Sequence, residues 1–348
     1  MNRFQQALAR CNRGRPPVWF MRQAGRYHAH YQALKGRHSF MELCKAPELA
    51  CEVTLGPIDD FGFDAAILFS DLLFPLEAMG MGLAYEPGPV MGWHLRETAD
   101  LARLAGGEGR LGELQFQADA MRLIRAALPA GKGLLGFVGG PWTLFAYAVE
   151  GSHKGSLESA IAGLADGRFE GFCERLLPLL AANMVLQYEA GADTVAVMDT
   201  CAGDLPPGMF GRSVMPWLRR LFDAVHERLP GAPITYYSKH TGPAHWHWIE
   251  TLPAACFGVD WLHPLPQVMA QLGQRRAIQG NVDPHWLLLP PDELETRLRA
   301  WFAEMKKLEP DQRAGWICGL GHGVLPQTPE SNVRLFLALQ AESFGEAS

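Results

Sequence analysis

Short apolar runs that alternate with amphipathic helices are the feature that most constrains the fold of this chain. The runs are continuously apolar, which is typical of parallel strands buried on both faces. Eight are predicted, over residues 17–19, 65–69, 134–138, 194–198, 234–237, 257–261, 277–279 and 316–318. Helical patterns lie between them, such as Val214–Val225, where apolar residues recur at helical spacing. Eight strand–helix units predict an α/β fold, a (β/α)₈ barrel of the TIM type.

The main alternative is a doubly wound open sheet. No Gly-x-Gly-x-x-Gly sequence follows the first predicted strand, and the count of eight favours the barrel. Long insertions precede the second and third strands, at residues 27–60 and 72–130. No segment has the composition of a linker, so we expect a single domain over residues 1–348.

Composition excludes several classes of protein. The chain has 31 basic and 37 acidic residues and a net charge of −6, which argues against broad nucleic-acid binding but not against an anionic small molecule. The N-terminus lacks the apolar core of a signal peptide, and the longest apolar run, Leu176–Leu186, is too short for a bilayer. Seven widely spaced cysteines without a Cys-x-x-Cys pair predict reduced thiols. We therefore expect a soluble cytoplasmic protein without a membrane or nucleic-acid partner.

Polar residues and glycines follow the predicted strands, at the end where barrel enzymes carry their active sites. The main candidates are Arg22, Arg26, Asp71, Tyr147, Asp199, Thr200 and His322. Paired arginines suit carboxylates, because the guanidinium fork binds them in a bidentate manner. Most of these candidates have a structural alternative: the arginines as a solvated pair, Asp71 as a helix cap, Tyr147 as a packing residue and Asp199 as a helix cap or a support for its loop. His322, between two glycines, is less easily explained by core packing.

Three nearby histidines, His240, His245 and His247, do not predict a metal site. His245 and His247 stand at i and i+2 of a predicted helix, where side chains diverge. No cysteine is close enough in sequence to complete a familiar zinc pattern.

Four motif blocks carry a resemblance to a known family. They are Met21-Arg-Gln-Ala-Gly-Arg-Tyr27, Phe63-Asp-Ala-Ala-Ile-Leu-Phe-Ser-Asp71, Gly140-Pro-Trp-Thr-Leu144 continuing to Tyr147, and Gly319-Leu-Gly-His-Gly323. With weaker agreement between them, these blocks cover nearly the whole chain in order. In them the sequence resembles the uroporphyrinogen decarboxylase family of haem biosynthesis.

The resemblance implies a (β/α)₈ barrel that forms a homodimer and uses neither a cofactor nor a metal. The family removes carbon dioxide from the four acetate side chains of uroporphyrinogen III and yields coproporphyrinogen III. Carried over by motif, the catalytic residues are Arg22, Asp71, Tyr147 and His322. Substrate contacts are expected from Arg22, Gln23, Ala24, Arg26, Ile67, Phe69, Ser70, Asp71, Phe137, Tyr147, Thr200 and His322.

A cofactor-free decarboxylation needs an electron sink within the substrate. Protonation of a ring carbon beside the acetate arm makes the pyrrole a cation, which draws electrons from the breaking bond. We expect Asp71 to stabilise that cation. Arg22 is our hypothesis for the organiser or donor of the proton, although a guanidinium pKa above ~12 suits a donor poorly. Tyr147, His322 or a reacting carboxylic acid acting through water are the alternatives.

Departures from the family pattern lie beside the expected cleft. His28-Ala29-His30 replaces a Leu-Pro-Glu sequence, Gln32 and Lys35 stand where arginines are common, and Cys201 replaces a bulkier residue. These changes bear on the substrate range, so a paralogue that acts on a modified tetrapyrrole is one alternative. A non-catalytic tetrapyrrole-binding protein is another. A zinc-dependent corrinoid-linked methyltransferase is a third, but it needs a His-x-Cys pair, which this sequence lacks.

Overall fold

The computed structural model describes residues 1–86, 88–152 and 155–345. Its strands are β1 (Ala65–Ile67), β2 (Leu83–Tyr85), β3 (Pro89–Met91), β4 (Gly133–Gly139), β5 (Thr194–Asp199), β6 (Ile234–Ser238), β7 (Cys256–Val259), β8 (Ala277–Val282) and β9 (Trp316–Leu320). Seven of these coincide with predicted strands, usually within two residues.

The helices fill the segments between strands. They are α1 (Arg3–Leu8), α2 (Ala29–Lys35), α3 (Phe40–Lys45), α4 (Pro47–Phe61), α5 (Phe74–Ala78), α6 (Gln115–Ala127), α7 (Pro141–Glu150), α8 (Glu158–Ala162), α9 (Arg168–Glu189), α10 (Pro207–Ser213), α11 (Met215–Arg228), α12 (Pro243–Ile249), α13 (Leu265–Gln271), α14 (Pro291–Lys306), α15 (Pro310–Arg313) and α16 (Glu330–Phe344). Short 3₁₀ helices cover Thr98–Arg103, Glu108–Leu114, Ala202–Asp204 and Pro284–Leu288. None of the helices in the described ranges is long and apolar enough to cross a membrane.

Seven parallel strands form one sheet in the order β1-β4-β5-β6-β7-β8-β9. The order follows the chain without a reversal, so the doubly wound alternative is wrong. The predicted first strand, residues 17–19, is present only as a single parallel bridge between Val18 and Cys318. The Cys318 N–H donates to the carbonyl of Pro17 (2.8 Å), and the Asp64 N–H donates to the carbonyl of Val18 (2.8 Å). This extended segment therefore joins both edge strands and completes the predicted TIM-type barrel.

Side chains from alternate strand positions fill the interior of the barrel. This cluster includes Trp19, Ile67, Leu135, Ala196, Met198, Tyr237 and Ile317. Helix α1 closes the end where the strands begin, and a Cβ atom at Gly133 would lie 2.5 Å from the Phe4 ring.

Outer helices bury one face against the sheet. Helix α11 buries Leu218, Leu221, Phe222 and Val225, the apolar stripe that predicts it in the sequence. Each such side chain contributes about 1.5–3 kcal/mol on burial. The insertion after β1 carries a two-stranded antiparallel hairpin, β2–β3, which the sequence did not predict. The hairpin contacts α3 and α5.

Candidate active site

The carboxyl of Asp71 stands in the turn after β1, at the end of the barrel where the strands finish. It is half-buried, and its Oδ1 accepts a hydrogen bond from the Leu73 N–H at 2.9 Å. Asp71 thus also supports the turn that leads into α5, a role close to the helix cap that is its structural alternative. Burial raises the pKa of Asp71 above its usual range, while the Leu73 N–H, the Tyr85 hydroxyl and the Arg22 guanidinium oppose the rise.

Arg22 follows the extended segment that completes the barrel. Its φ of 61° lies in the left-handed region, which is uncommon for a residue with a side chain. The aliphatic stem lies against the last glycine of the C-terminal motif, since a Cβ atom at Gly323 would be 2.5 Å from Arg22 Cδ. The exposed guanidinium lowers the pKa of Asp71 and of Tyr147. The first, second and third motif blocks therefore meet around one charged cluster.

Tyr147 lies on α7, which begins directly after β4. Only 8% of it is exposed. Burial, followed by the negative charge of Asp71, raises the pKa of Tyr147 well above its ordinary value. The phenol is consequently neutral at physiological pH and can donate a hydrogen bond.

His322 is tied to the inner wall of the barrel through Tyr237. The Tyr237 hydroxyl lies 2.9 Å from Nδ1 of His322 and donates to the carbonyl of Gly321 at 2.8 Å. The two rings stack with an interplanar angle of 16°. The positive charge of Arg22 lowers the pKa of Tyr237, but burial has the larger effect and raises it. The fourth motif block therefore joins the same end of the barrel as the other three.

Two predicted substrate contacts use their side chains within the protein. The buried amide of Gln23 donates to the carbonyl of Ala65 (3.0 Å) and accepts from the Phe20 N–H (3.1 Å). The hydroxyl of Ser70 accepts from the Gln117 side chain at 2.9 Å. These bonds fix the turns that carry Arg22 and Asp71.

The remaining predicted contacts are spread over several elements of the barrel. Ile67 and Phe137 lie in the interior cluster, on strands β1 and β4. Ala24 and Phe69 pack together against Tyr31 and its neighbours. Arg26 is exposed and lowers the pKa of Tyr31, and Thr200 is half-buried after β5.

The three histidines considered as metal ligands differ in their surroundings. His245 is buried and its Nε2 contacts the carbonyl of Leu205 at 2.9 Å, whereas His240 and His247 are exposed. Across residues 1–86, 88–152 and 155–345, no group of three or more His, Cys, Asp or Glu side chains is arranged to hold a metal ion.

Two of the departures from the family pattern pack against helix α4. His28 is fully buried, with Nε2 2.7 Å from Asp60. His30 fits against Gly56, where a Cβ atom would lie 2.4 Å from its ring. Cys201 is buried too, and its backbone binds Thr143 and Trp142 at the start of α7.

Sequence reasoning missed two tyrosines at this site. Tyr85 stands on the unpredicted hairpin, and its buried hydroxyl has no hydrogen-bond partner in the part of the chain that the structure describes. Nothing local in the sequence marks it. Tyr237 ends the predicted strand 234–237, and the period of two along a strand could have placed it on the inner face with Thr235.

Comparison with known proteins agrees with this geometry. The family model described as Uroporphyrinogen decarboxylase (URO-D) matches residues 1–342. A uroporphyrinogen decarboxylase of Roseiflexus sp. (strain RS-1) is 38% identical over 337 residues, which are 94% of this chain and 95% of that protein. One of Geobacter metallireducens is 36% identical over 338 residues, 95% of each chain.

A solved structure supports the fold alone. A methyltransferase from Methanosarcina mazei superposes with a TM-score of 0.77 over 98% of this chain and 97% of its own, at 19% identity. The whole-length family match and the curated relatives show that this chain belongs to the uroporphyrinogen decarboxylase family.

Proposed function

We propose that this chain is a carboxy-lyase that converts uroporphyrinogen III into coproporphyrinogen III by removing carbon dioxide from its four acetate side chains. Family membership and the names of the relatives support decarboxylation in tetrapyrrole biosynthesis. The observation that carries the proposal is the position of Asp71. Its carboxyl lies at the open end of the barrel, within the electrostatic reach of Arg22 and Tyr147.

Each decarboxylation balances without an external electron acceptor. A proton adds to the ring carbon beside the acetate arm, and the pyrrole becomes a cation. The bond between the acetate methylene and the carboxylate then breaks, carbon dioxide leaves, and the electron pair neutralises the ring. The exocyclic methylene takes up a proton to become a methyl group, and the ring carbon returns its own. One proton is consumed for each carbon dioxide released.

Asp71 acts in this scheme as an ionised acceptor for the pyrrole N–H groups. It stabilises the cation where the charge develops, and preorganised groups of this kind contribute about 3–4 kcal/mol to lowering a barrier. Arg22 and Arg26 bind the carboxylates of the substrate, because both are exposed and guanidinium suits carboxylate. Arg22 organises the proton transfer, and Tyr147 and His322 contact the substrate.

The wider assignment follows from the same resemblance. Residues 1–348 form one barrel domain, and two chains form a homodimer in the cytoplasm. The tetrapyrrole substrate is the only partner that the reaction requires. The free cysteines of the described chain suit a reducing compartment. Sedimentation of the purified protein tests the dimer.

Anaerobic incubation with uroporphyrinogen III, followed by chromatography of the oxidised porphyrins, tests the function. We expect porphyrins with seven, six, five and four carboxyl groups to accumulate in turn. Binding of uroporphyrinogen without release of carbon dioxide would instead support the non-catalytic alternative. Turnover of a modified tetrapyrrole alone would support the paralogue.

A further inference from the structure

The Tyr237 hydroxyl has a single proton and lies within hydrogen-bond distance of two partners. It lies 2.8 Å from the carbonyl oxygen of Gly321 and 2.9 Å from Nδ1 of His322. The carbonyl can only accept, whereas the ring nitrogen accepts or donates according to its tautomer. The hydroxyl proton therefore decides which nitrogen of His322 carries hydrogen.

The carbonyl of Gly321 determines where that proton goes. If the hydroxyl donated to Nδ1, no proton would lie between the phenol oxygen of Tyr237 and the carbonyl oxygen of Gly321. Their lone pairs would then repel each other at 2.8 Å. Donation to Gly321 removes this repulsion and leaves a lone pair on the phenol oxygen for an Nδ1–H of His322. Burial raises the pKa of Tyr237 well above its usual value, so the phenol keeps its proton.

We propose that Tyr237 is a positioning residue that holds His322 in the Nδ1–H tautomer, so that Nε2 is the ring nitrogen that gains and loses a proton. The Nδ1–H bond to the phenol oxygen persists whether the imidazole is neutral or protonated. Nε2 can then accept a proton from a carboxylic acid of the substrate and return it, with no movement of the ring. This role in turnover rests on the proposed function, whereas the tautomer does not.

The surroundings of His322 hold the ring in place for this role. The imidazole stacks on the Tyr237 ring, with centroids 5.9 Å apart. The backbone on either side is closely packed, at Gly321 against the main chain of a neighbouring loop and at Gly323 against the flexible stem of Arg22. A Cβ atom at Gly321 would lie 2.6 Å from the backbone nitrogen of Trp261, and one at Gly323 would lie 2.5 Å from Arg22 Cδ. The glycine motif thus fixes the orientation of the His322 ring, and Tyr237 determines which ring nitrogen carries the proton.

Nitrogen NMR of the full-length enzyme labelled with ¹⁵N-histidine tests the tautomer directly. The His322→Gln variant identifies the ring signals. We expect the neutral ring to show a protonated Nδ1 and a bare Nε2, and Tyr237→Phe to shift the population towards Nε2–H. A wild-type ring with Nε2–H, or a tautomer that does not change in Tyr237→Phe, would overturn the proposal.

Kinetics separate this role from general damage to the fold. Loss of a group that orients a metal-binding histidine typically costs about 10–100-fold in activity. On the same scale we expect a fall of at least tenfold in kcat for Tyr237→Phe, with a smaller change in KM. In a His322→Gln background, Tyr237→Phe should add little. An equal further loss in that background would assign Tyr237 a merely structural role.

Tyr188→Phe is the matched control. Its hydroxyl also donates to a carbonyl, that of Pro233 at 2.8 Å, and accepts from the Val195 N–H at 3.1 Å, but it does not touch His322. We expect this control to keep the tautomer and kcat unchanged. If the wild-type enzyme shows the Nδ1–H tautomer but fails to decarboxylate uroporphyrinogen, the proposed function fails and the tautomer assignment stands.

Discussion

The buried hydroxyl of Tyr85 lies beside the carboxyl of Asp71 and lowers its pKa without forming a hydrogen bond of normal geometry. Tyr85 comes from the hairpin and Asp71 from the turn after β1, so two separate parts of the chain meet at the reacting end of the barrel. The ring of Tyr85 is held against Phe40, with centroids 4.5 Å apart. The hairpin thus adjusts the charge state of the central carboxylate.

Tyr85→Phe should move the pH dependence of activity. Removal of the hydroxyl raises the pKa of Asp71 further, and Asp71 must be ionised to stabilise the cation. The acid limb of the kcat/KM profile therefore shifts to higher pH, and activity on its alkaline side changes less. An acid limb at the wild-type position would contradict this role. Because a hydroxyl that lowers the pKa of Asp71 stabilises the ionised carboxylate in the folded state, we expect unfolding in urea to show a loss of stability at neutral pH that becomes smaller at low pH.

Asp71→Asn should keep the fold and lose most of the turnover. An amide cannot stabilise the pyrrole cation, and loss of about 3–4 kcal/mol corresponds to a fall in kcat of about 10²–10³-fold. Binding of uroporphyrinogen, measured anaerobically by fluorescence quenching, should change much less than kcat. Asp59→Asn, on the exposed part of α4, is the control. Near-normal turnover of the Asp71 variant would remove the carboxylate from the chemistry.

Gly323→Ala should weaken substrate binding through Arg22. The new methyl group would lie 2.5 Å from Arg22 Cδ and 2.9 Å from Cγ, so the flexible stem must move and the guanidinium moves with it. We expect a rise in KM of about tenfold with little change in the melting temperature, since the atoms displaced belong to an exposed side chain. Gly112→Ala is the control, because a Cβ atom there meets nothing within 4 Å. Equal KM values for the two variants would show that Arg22 does not depend on Gly323.

The barrel was predictable because its strands carry a strong local signal. Residues 194–198 read as a buried strand, and the structure has Thr194–Asp199. The hairpin was not predictable, since strands of three residues with mixed exposure, such as Leu83–Tyr85, leave no usable pattern. The position of Tyr85 beside Asp71 follows from tertiary packing alone.

Motif residues were easier to find than their roles. Gln23 stands in the arginine motif, yet only the structure shows its amide bound to the backbone on both sides. Pattern alone cannot separate a residue that contacts the substrate from one that supports its neighbours. The link between Tyr237 and His322 joins β6 to the turn after β9, far apart in sequence.

A second buried carboxylate, Asp199, lies at the end of β5 and is fully enclosed. Its Oδ1 accepts from the Thr143 hydroxyl at 2.6 Å and its Oδ2 from the Tyr236 hydroxyl at 2.9 Å. Thr143 in turn accepts from the Cys201 N–H at 3.1 Å, so its own proton is committed to Asp199. Desolvation outweighs these bonds and raises the pKa of Asp199 to about 6.

This raised pKa makes the stability of the protein depend on pH, and Asp199→Asn measures it. Between the ordinary pKa of 3.8 and about 6, the folded state binds more protons at Asp199 than the unfolded state does, so its contribution to the free energy of unfolding falls as the pH rises. A shift of this size corresponds to about 3 kcal/mol. Asn cannot ionise, so urea unfolding should show the wild type losing most of that stability relative to Asp199→Asn between pH 4 and pH 7. Asp59→Asn on the exposed part of α4 is the control. A difference that is constant with pH would show that hydrogen bonding to Asp199 fully offsets its burial. One that increasingly favours the wild type as the pH rises would show that hydrogen bonding outweighs burial.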